Sequence, residues 1–284
     1  MNKMIKQVDS IPTDEIAGRT EATPSDAVLV ARGLSKRYRV PDGERLVLES
    51  IDLEVRRGEL VSIVGPSGAG KTTLLRCLSG LLPPSSGYIE LAGHRITRPP
   101  EGLSVVFQDY SRSLLPWMTV EANVILPLRS KGLSKKQCQT LAQDSLAAVG
   151  LSHATKQYSW QLSGGMQQRV AIARALAYEP TVLLMDEPFA SVDAQSRAEL
   201  EDLTLDLRTK YDVTIAVVTH DIDESVYLGD RVLVLSGSPT RVRAAVDVNL
   251  PPQRDQLATK ALPRFAELRA QVLQMIRDPG SAAP

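Results

Sequence analysis

The chain has 284 residues, 43% hydrophobic and 23% charged, and its 33 basic and 33 acidic residues cancel to no net charge. Such a length holds one large domain or two small ones and buries a core without disulfide or metal staples. The apolar content excludes a disordered chain, and the balanced charge argues against nucleic acid as a partner while leaving room for a local phosphate site. Cys77 and Cys138 are too few for a disulfide framework and form no Cys-x-x-Cys pair, which reads as a reducing compartment. No apolar run reaches the ~18 residues of a membrane span. Lys3 and Lys6 are not followed by the apolar stretch of a secretory signal. The expectation is a soluble, cytoplasmic chain that can still dock on a membrane protein.

In chain order, residues 1–26 are polar, of mixed charge and without a sustained period, and read as a tail. Val28–Ala31 and Leu46–Val55 read as strands on either side of the turn-rich Pro41-Asp42-Gly43. Leu60–Val64 is a short apolar strand that runs directly into a Gly-rich turn. Lys71–Ser79 reads as a helix stopped at Gly80, with Pro83-Pro84 beyond. Between Gln108 and Trp160 the strand signal fades, and Val120–Leu126, Ser134–Val149 and the run after Ser163 read as helices: a helical insertion in an α/β chain. Strands return at Val182–Met185, Val213–Val218 and Val232–Leu235, with helices at Ala194–Lys210 and Asp221–Leu228 between them. Buried apolar strands alternating with helices predict a mainly parallel sheet. Over Asp255–Asp278, the spacing of Phe265, Leu268, Val272 and Ile276 predicts a helix packed on the domain surface.

The segment Gly65-Pro66-Ser67-Gly68-Ala69-Gly70-Lys71-Thr72 fits G-x-x-x-x-G-K-[ST], with a strand before it and a helix after it. Glycines let the backbone curl so that its N–H groups face phosphate oxygens, and the helix N-terminus adds a positive dipole. Lys71 neutralises β- and γ-phosphate charge, the Thr72 hydroxyl suits Mg²⁺, and Thr73 is counted with the nucleotide-binding residues. Val182–Met185 then leads into Asp186 and Glu187. A carboxylate at the tip of a buried parallel strand stands beside such a loop. Asp186 would hold Mg²⁺ through water, leaving Glu187 to polarise an attacking water.

Leu162-Ser163-Gly164-Gly165-Met166-Gln167-Gln168-Arg169 lies before that strand, with Ser163 23 residues ahead of Asp186. A Ser hydroxyl, two Gly amides and a helix N-terminus make a second anion cradle. The segment resembles the signature motif of ABC-transporter ATPase subunits, and the resemblance runs from about Val28 to Leu235. It implies a P-loop ATPase fold with a mainly parallel core sheet, an antiparallel β subdomain and a helical subdomain at about 109–178. The ATPase domain would span 27–245, followed by a short helical extension at 246–284. By the same resemblance, Tyr38 is similar to the aromatic residue that stacks on adenine. Gln108 is similar to the glutamine that joins the insertion to the core and senses Mg²⁺ and the attacking water. His220 resembles the histidine at the γ-phosphate. Asp193, in Ala190-Ser191-Val192-Asp193, resembles the aspartate that communicates across a dimer. That loop departs from the commoner small-Ala-Leu-Asp form but keeps its Asp.

In this family ATP binds between two subunits, the phosphate loop of one facing the signature motif of the other. The resemblance therefore implies ATP and Mg²⁺ as cofactors, a second ATPase subunit as partner in a homodimer, transmembrane permease subunits and, indirectly, a solute-binding protein. It places the chain as a peripheral subunit at the cytoplasmic face of the cell membrane, with no nucleic-acid partner. Gln108-Asp109-Tyr110 followed by Leu114-Leu115-Pro116-Trp117-Met118-Thr119-Val120 is similar to the nitrate/sulfonate/taurine importer branch. The 44 residues after Thr240 agree with that branch, being too few for a long regulatory domain. Two other readings are open to a chain with this loop. A non-transport ABC ATPase on nucleic acid or ribosomes would usually carry two cassettes or a long coiled coil. A P-loop kinase or GTPase explains Lys71 and Asp186 but not Ser163–Gly165 or His220.

Overall fold

The structure, a computed structural model, describes residues 26–109 and 113–277. The expected tail lies outside these residues apart from Asp26, as do Tyr110 and residues 278–284. Strand β1 (Ala27–Val40) folds back through Pro41-Asp42 onto β2 (Gly43–Arg56), so the two expected strands are parts of one long hairpin. β4 (Ser86–Leu91) pairs with the other edge of β1, and β5 (His94–Arg95) completes an antiparallel sheet of order β2-β1-β4-β5.

The second sheet has the order β10-β9-β3-β8-β7-β6. Its strands are β3 (Leu60–Val64), β6 (Leu103–Val106), β7 (Val182–Asp186), β8 (Thr214–Thr219), β9 (Arg231–Leu235) and β10 (Val242–Asp247). All neighbours are parallel except β10, which runs antiparallel to β9. β3, β7 and β8 are buried at every position, because their side chains alternate between two apolar layers. Leu60, Val64, Leu183, Met185, Ile215 and Val217 join the layer shared with the helical insertion. Val61, Ile63, Val182, Leu184, Ala216 and Val218 join the layer beneath the antiparallel sheet and helix α1 (Lys71–Leu78). Each fully buried Val, Leu or Ile contributes roughly 1.5–3 kcal/mol.

The insertion contains α2 (Val120–Ile125), α3 (Lys135–Ala148) and α4 (Gly164–Ala177), each started by a hydroxyl cap from Thr119, Ser134 and Ser163. Buried Asn123 fixes the Leu-Pro-Trp turn: its Oδ1 accepts from the Leu115 amide at 2.8 Å, and its Nδ2 donates to Leu115 O at 3.1 Å. The remaining helices are α5 (Ala194–Tyr211), α6 (Ile222–Leu228) and α7 (Pro263–Arg277). Phe265, Leu268 and Val272 are buried as their spacing predicts. The helix nevertheless starts at Pro263 rather than near Asp255, because proline suits a first helical position and turns the residue before it away from helix. β10 runs across position 245, where the ATPase domain is expected to end.

Candidate active site

The phosphate loop leaves β3 and enters α1 through Gly70, which is left-handed at φ 73°. A β-carbon there would lie 2.7 Å from Val47 Cγ1, so only glycine passes. The Ala69 carbonyl accepts a hydrogen bond from the buried Thr240 hydroxyl, and the Thr240 amide donates to Val47 O at 2.8 Å. Thr240, which the sequence reading did not single out, thus ties the loop to the β2 strand. The Lys71 ammonium folds back over the loop and donates to Gly65 O at 2.9 Å and Pro66 O at 3.2 Å. Burial lowers the pKa of Lys71, against the opposing pull of Glu187 and Asp186.

The other polar groups stand at the carboxyl ends of neighbouring parallel strands, where this kind of sheet opens a crevice. Asp186 ends β7 and is 4% exposed; its Oδ1 accepts from Thr72 Oγ1 at 3.4 Å. Burial raises the Asp186 pKa, and the Thr72 hydroxyl lowers it in part. Among the described residues, no group of three or more His, Cys, Asp or Glu side chains could hold a metal ion. Mg²⁺ usually takes one or two carboxylates and completes its shell with water and phosphate oxygens. The Thr72–Asp186 oxygen pair beside a phosphate loop fits that requirement.

Glu187 follows with φ 43°, a left-handed turn that non-glycine residues seldom adopt, held by its amide donating to Val218 O at 2.7 Å. Its Oε2 accepts from Gln108 Nε2 at 3.0 Å and lies 3.1 Å from His220 Nδ1. Gln108 follows β6 and His220 follows β8, on either side of β7. The strand order therefore converts three distant residues into one contact set. A cavity of about 690 Å³ lies above the loop. It is lined by Ser67, Gly68, Ala69, Gly70, Lys71, Thr72, Thr73, Glu187, His220, Tyr38, Val40, Arg45 and Val47. The Tyr38 hydroxyl is 3.4 Å from Thr73 Oγ1. Val40, Arg45 and Val47 were not foreseen; Val40 lies two residues after Tyr38 on β1, and Arg45 on β2 is the register partner of Tyr38.

Ser163, Gly164, Gly165 and Asp193 do not line this cavity. Ser163 Oγ accepts from the Met166 amide at 3.3 Å and caps α4. Asp193 caps α5, accepting from the Ser196 amide at 2.9 Å and the Ser196 hydroxyl at 2.8 Å. These bonds hold the Asp193 carboxyl below its usual range. A β-carbon at Gly165 would lie 3.1 Å from Ser196 Oγ, so Ser196 is wedged between the two motifs of one chain.

A Lys-bearing phosphate loop beside strand-end carboxylates, one of them touching a glutamine and a histidine, defines a P-loop ATPase site. The sequence matches the family model described as ABC transporter over residues 48–190. The chain belongs to that family: it is an ATP-binding, ATP-hydrolysing subunit of the type that energises transporters. It is 38% identical to the nitrate transport protein NasD of Klebsiella oxytoca, over 88% of this chain and 96% of that protein. It is 40% identical to the bicarbonate transport ATP-binding protein CmpC of Synechocystis sp., over 86% of this chain but only 37% of that longer protein. Among solved structures it is similar to the dimeric bacterial ABC transporter cassette MJ0796, with TM-score 0.69 and 30% identity, covering 78% of this chain and 99% of that one. The same cassette is also known as a post-hydrolysis dimer bound to ADP and Pi. No described helix is long and apolar enough to cross a membrane.

Proposed function

We propose that this ATPase energises import of a small solute such as nitrate, sulfonate or taurine, as a peripheral subunit on permease subunits at the cytoplasmic face of the cell membrane. A solute-binding protein would deliver the solute to the permease. The nitrate and bicarbonate relatives support the solute class, and the Gln108–Glu187–His220 contact set carries the hydrolytic reading. Lys71 neutralises the β- and γ-phosphates. Glu187 accepts the proton of the attacking water, while Gln108 and His220 position the carboxylate and the terminal phosphate. Asp186, Thr72 and Gln108 would hold Mg²⁺, which when bound offsets phosphate charge. Tyr38 stacks on the base. The ATPase domain runs from residue 27 to the end of β10, with the helical part at about 109–178.

Ser163, Gly164, Gly165 and Asp193 stand outside their own chain's cavity, which supports a homodimer in which each copy's signature segment covers the other's ATP. Lys71→Ala is expected to weaken ATP binding at least about tenfold, the scale of a lost hydrogen bond to a charged group, and to lower turnover. Equilibrium ATP binding checks this, and full retention of affinity and activity would refute the role. Trp117 is 72% exposed on the turn held by Asn123. Trp117→Ala is expected to spare ATP binding and weaken co-purification with the permease; an unchanged yield would remove that turn from the docking surface.

A further inference from the structure

The tip of the β1–β2 hairpin lines part of the cavity above the phosphate loop. Tyr38 and Val40 on β1, and Arg45 and Val47 on β2, are spaced by two and share a face. All four line the cavity, and Tyr38 stands directly opposite Arg45 in the strand register. Cross-strand partners on one face have side chains in mutual reach. The neighbouring cations are engaged. Lys36 donates to Pro83 O at 2.7 Å and lies 5.5 Å from the Tyr38 ring centroid. Lys71 is tied to the loop carbonyls, and Arg241 pairs with Glu49 at 2.7 Å. The Arg45 guanidinium has no hydrogen-bond or ion-pair partner among the described residues.

We propose that Arg45 is a positioning residue for the nucleotide base, packing its guanidinium on the base beside Tyr38. A guanidinium is planar and weakly hydrated, stacks on aromatic faces and donates in the plane of its fork. A purine offers both a π-face and ring-nitrogen acceptors. The phosphates are already served by Lys71 and the loop amides, whereas Arg45 is paired in register with the aromatic residue.

The test compares ATP with tripolyphosphate, which carries the phosphates without base or ribose, on the full chain. Arg45→Ala is expected to weaken ATP binding by about 3- to 30-fold, the range of cation–π contacts from exposed to desolvated. The loss should fall on KM rather than kcat, and tripolyphosphate affinity should not move. Arg45→Lys, which keeps the charge and loses the planar fork, should not restore ATP affinity. Unchanged ATP affinity in Arg45→Ala overturns the proposal. So does an equal loss for tripolyphosphate, which assigns Arg45 to the phosphates, and so does full rescue by lysine. Lys71→Ala is the control that should weaken both ligands. If the unmodified chain bound neither, the nucleotide site itself would fall, an outcome distinct from a failure confined to Arg45.

Discussion

Glu187→Gln is expected to leave ATP bound while slowing its hydrolysis by ~10²–10⁴-fold, the usual contribution of a positioned general base. The substitution keeps the size of the side chain and an oxygen that can accept from Gln108, whose Nε2 now lies 3.0 Å from the carboxylate. It removes the negative charge and the basicity that a proton leaving water requires. Phosphate binding rests on other groups, since Lys71 and the loop amides are untouched. ATP should therefore persist and hold two copies together. Single-turnover hydrolysis and light scattering with Mg-ATP measure the two halves of this expectation. Normal turnover would deprive Glu187 of its role. Slow turnover without dimerisation would point instead to permease subunits that must first align the pair.

The pH dependence of stability should be dominated by a carboxyl that takes no part in the chemistry. Glu224 lies on α6, just after His220, and is 4% exposed, with its Oε1 lacking a hydrogen-bond partner. Burial, with Glu201 and Asp221 nearby, pushes its pKa up to about 8 from an ordinary 4.5, while a Thr219 hydrogen bond and Arg197 pull the other way. The folded chain thus keeps a proton that the unfolded chain releases. Stability is full below about pH 4.5 and declines as pH rises through about 8. The raised pKa corresponds to a loss on the order of 5 kcal/mol once the group ionises. Glu224→Gln removes the ionisation, so its denaturant midpoint should fall much less than the parent's between pH 5.5 and 9, both measured in urea. Equal declines in the two proteins would show that Glu224 is not the titrating group.

The parallel core was legible because β3, β7 and β8 are nearly continuous apolar runs, with Ser62 inside β3 and other polar residues only at strand ends, a pattern that suits a strand covered on both faces. β4 was not: Ser86-Gly87-Tyr88-Ile89-Glu90-Leu91 has two small residues and exposed positions, and becomes a strand only by pairing with β1. β6 is a four-residue edge strand, too short for a period to emerge. β10, Val-Arg-Ala-Ala-Val-Asp, shows no apolar alternation and buries only Val246. Within the site, the phosphate loop was readable from local spacing, since its chemistry is made by consecutive amides. Glu187 was readable from its strand end beside that loop, whereas Gln108 and His220 were placed by family resemblance, because the meeting of the three depends on the spatial order β6-β7-β8, which no local pattern encodes. No local pattern marks Arg45. Only its register opposite Tyr38 brings it to the cavity.

Ser196 has a further consequence. Its hydroxyl is held by Asp193, and its side chain leaves little more than a glycine's width at position 165. Asp193 lies six residues after Glu187, while Gly165 belongs to the segment that the proposed homodimer would present to the other copy. In the proposed homodimer, a shift that began at one copy's carboxylate and reached Asp193 would press on the cover of its neighbour's ATP through a single interposed side chain. Two such copies would advance like meshed gears, neither completing a cycle without turning the other.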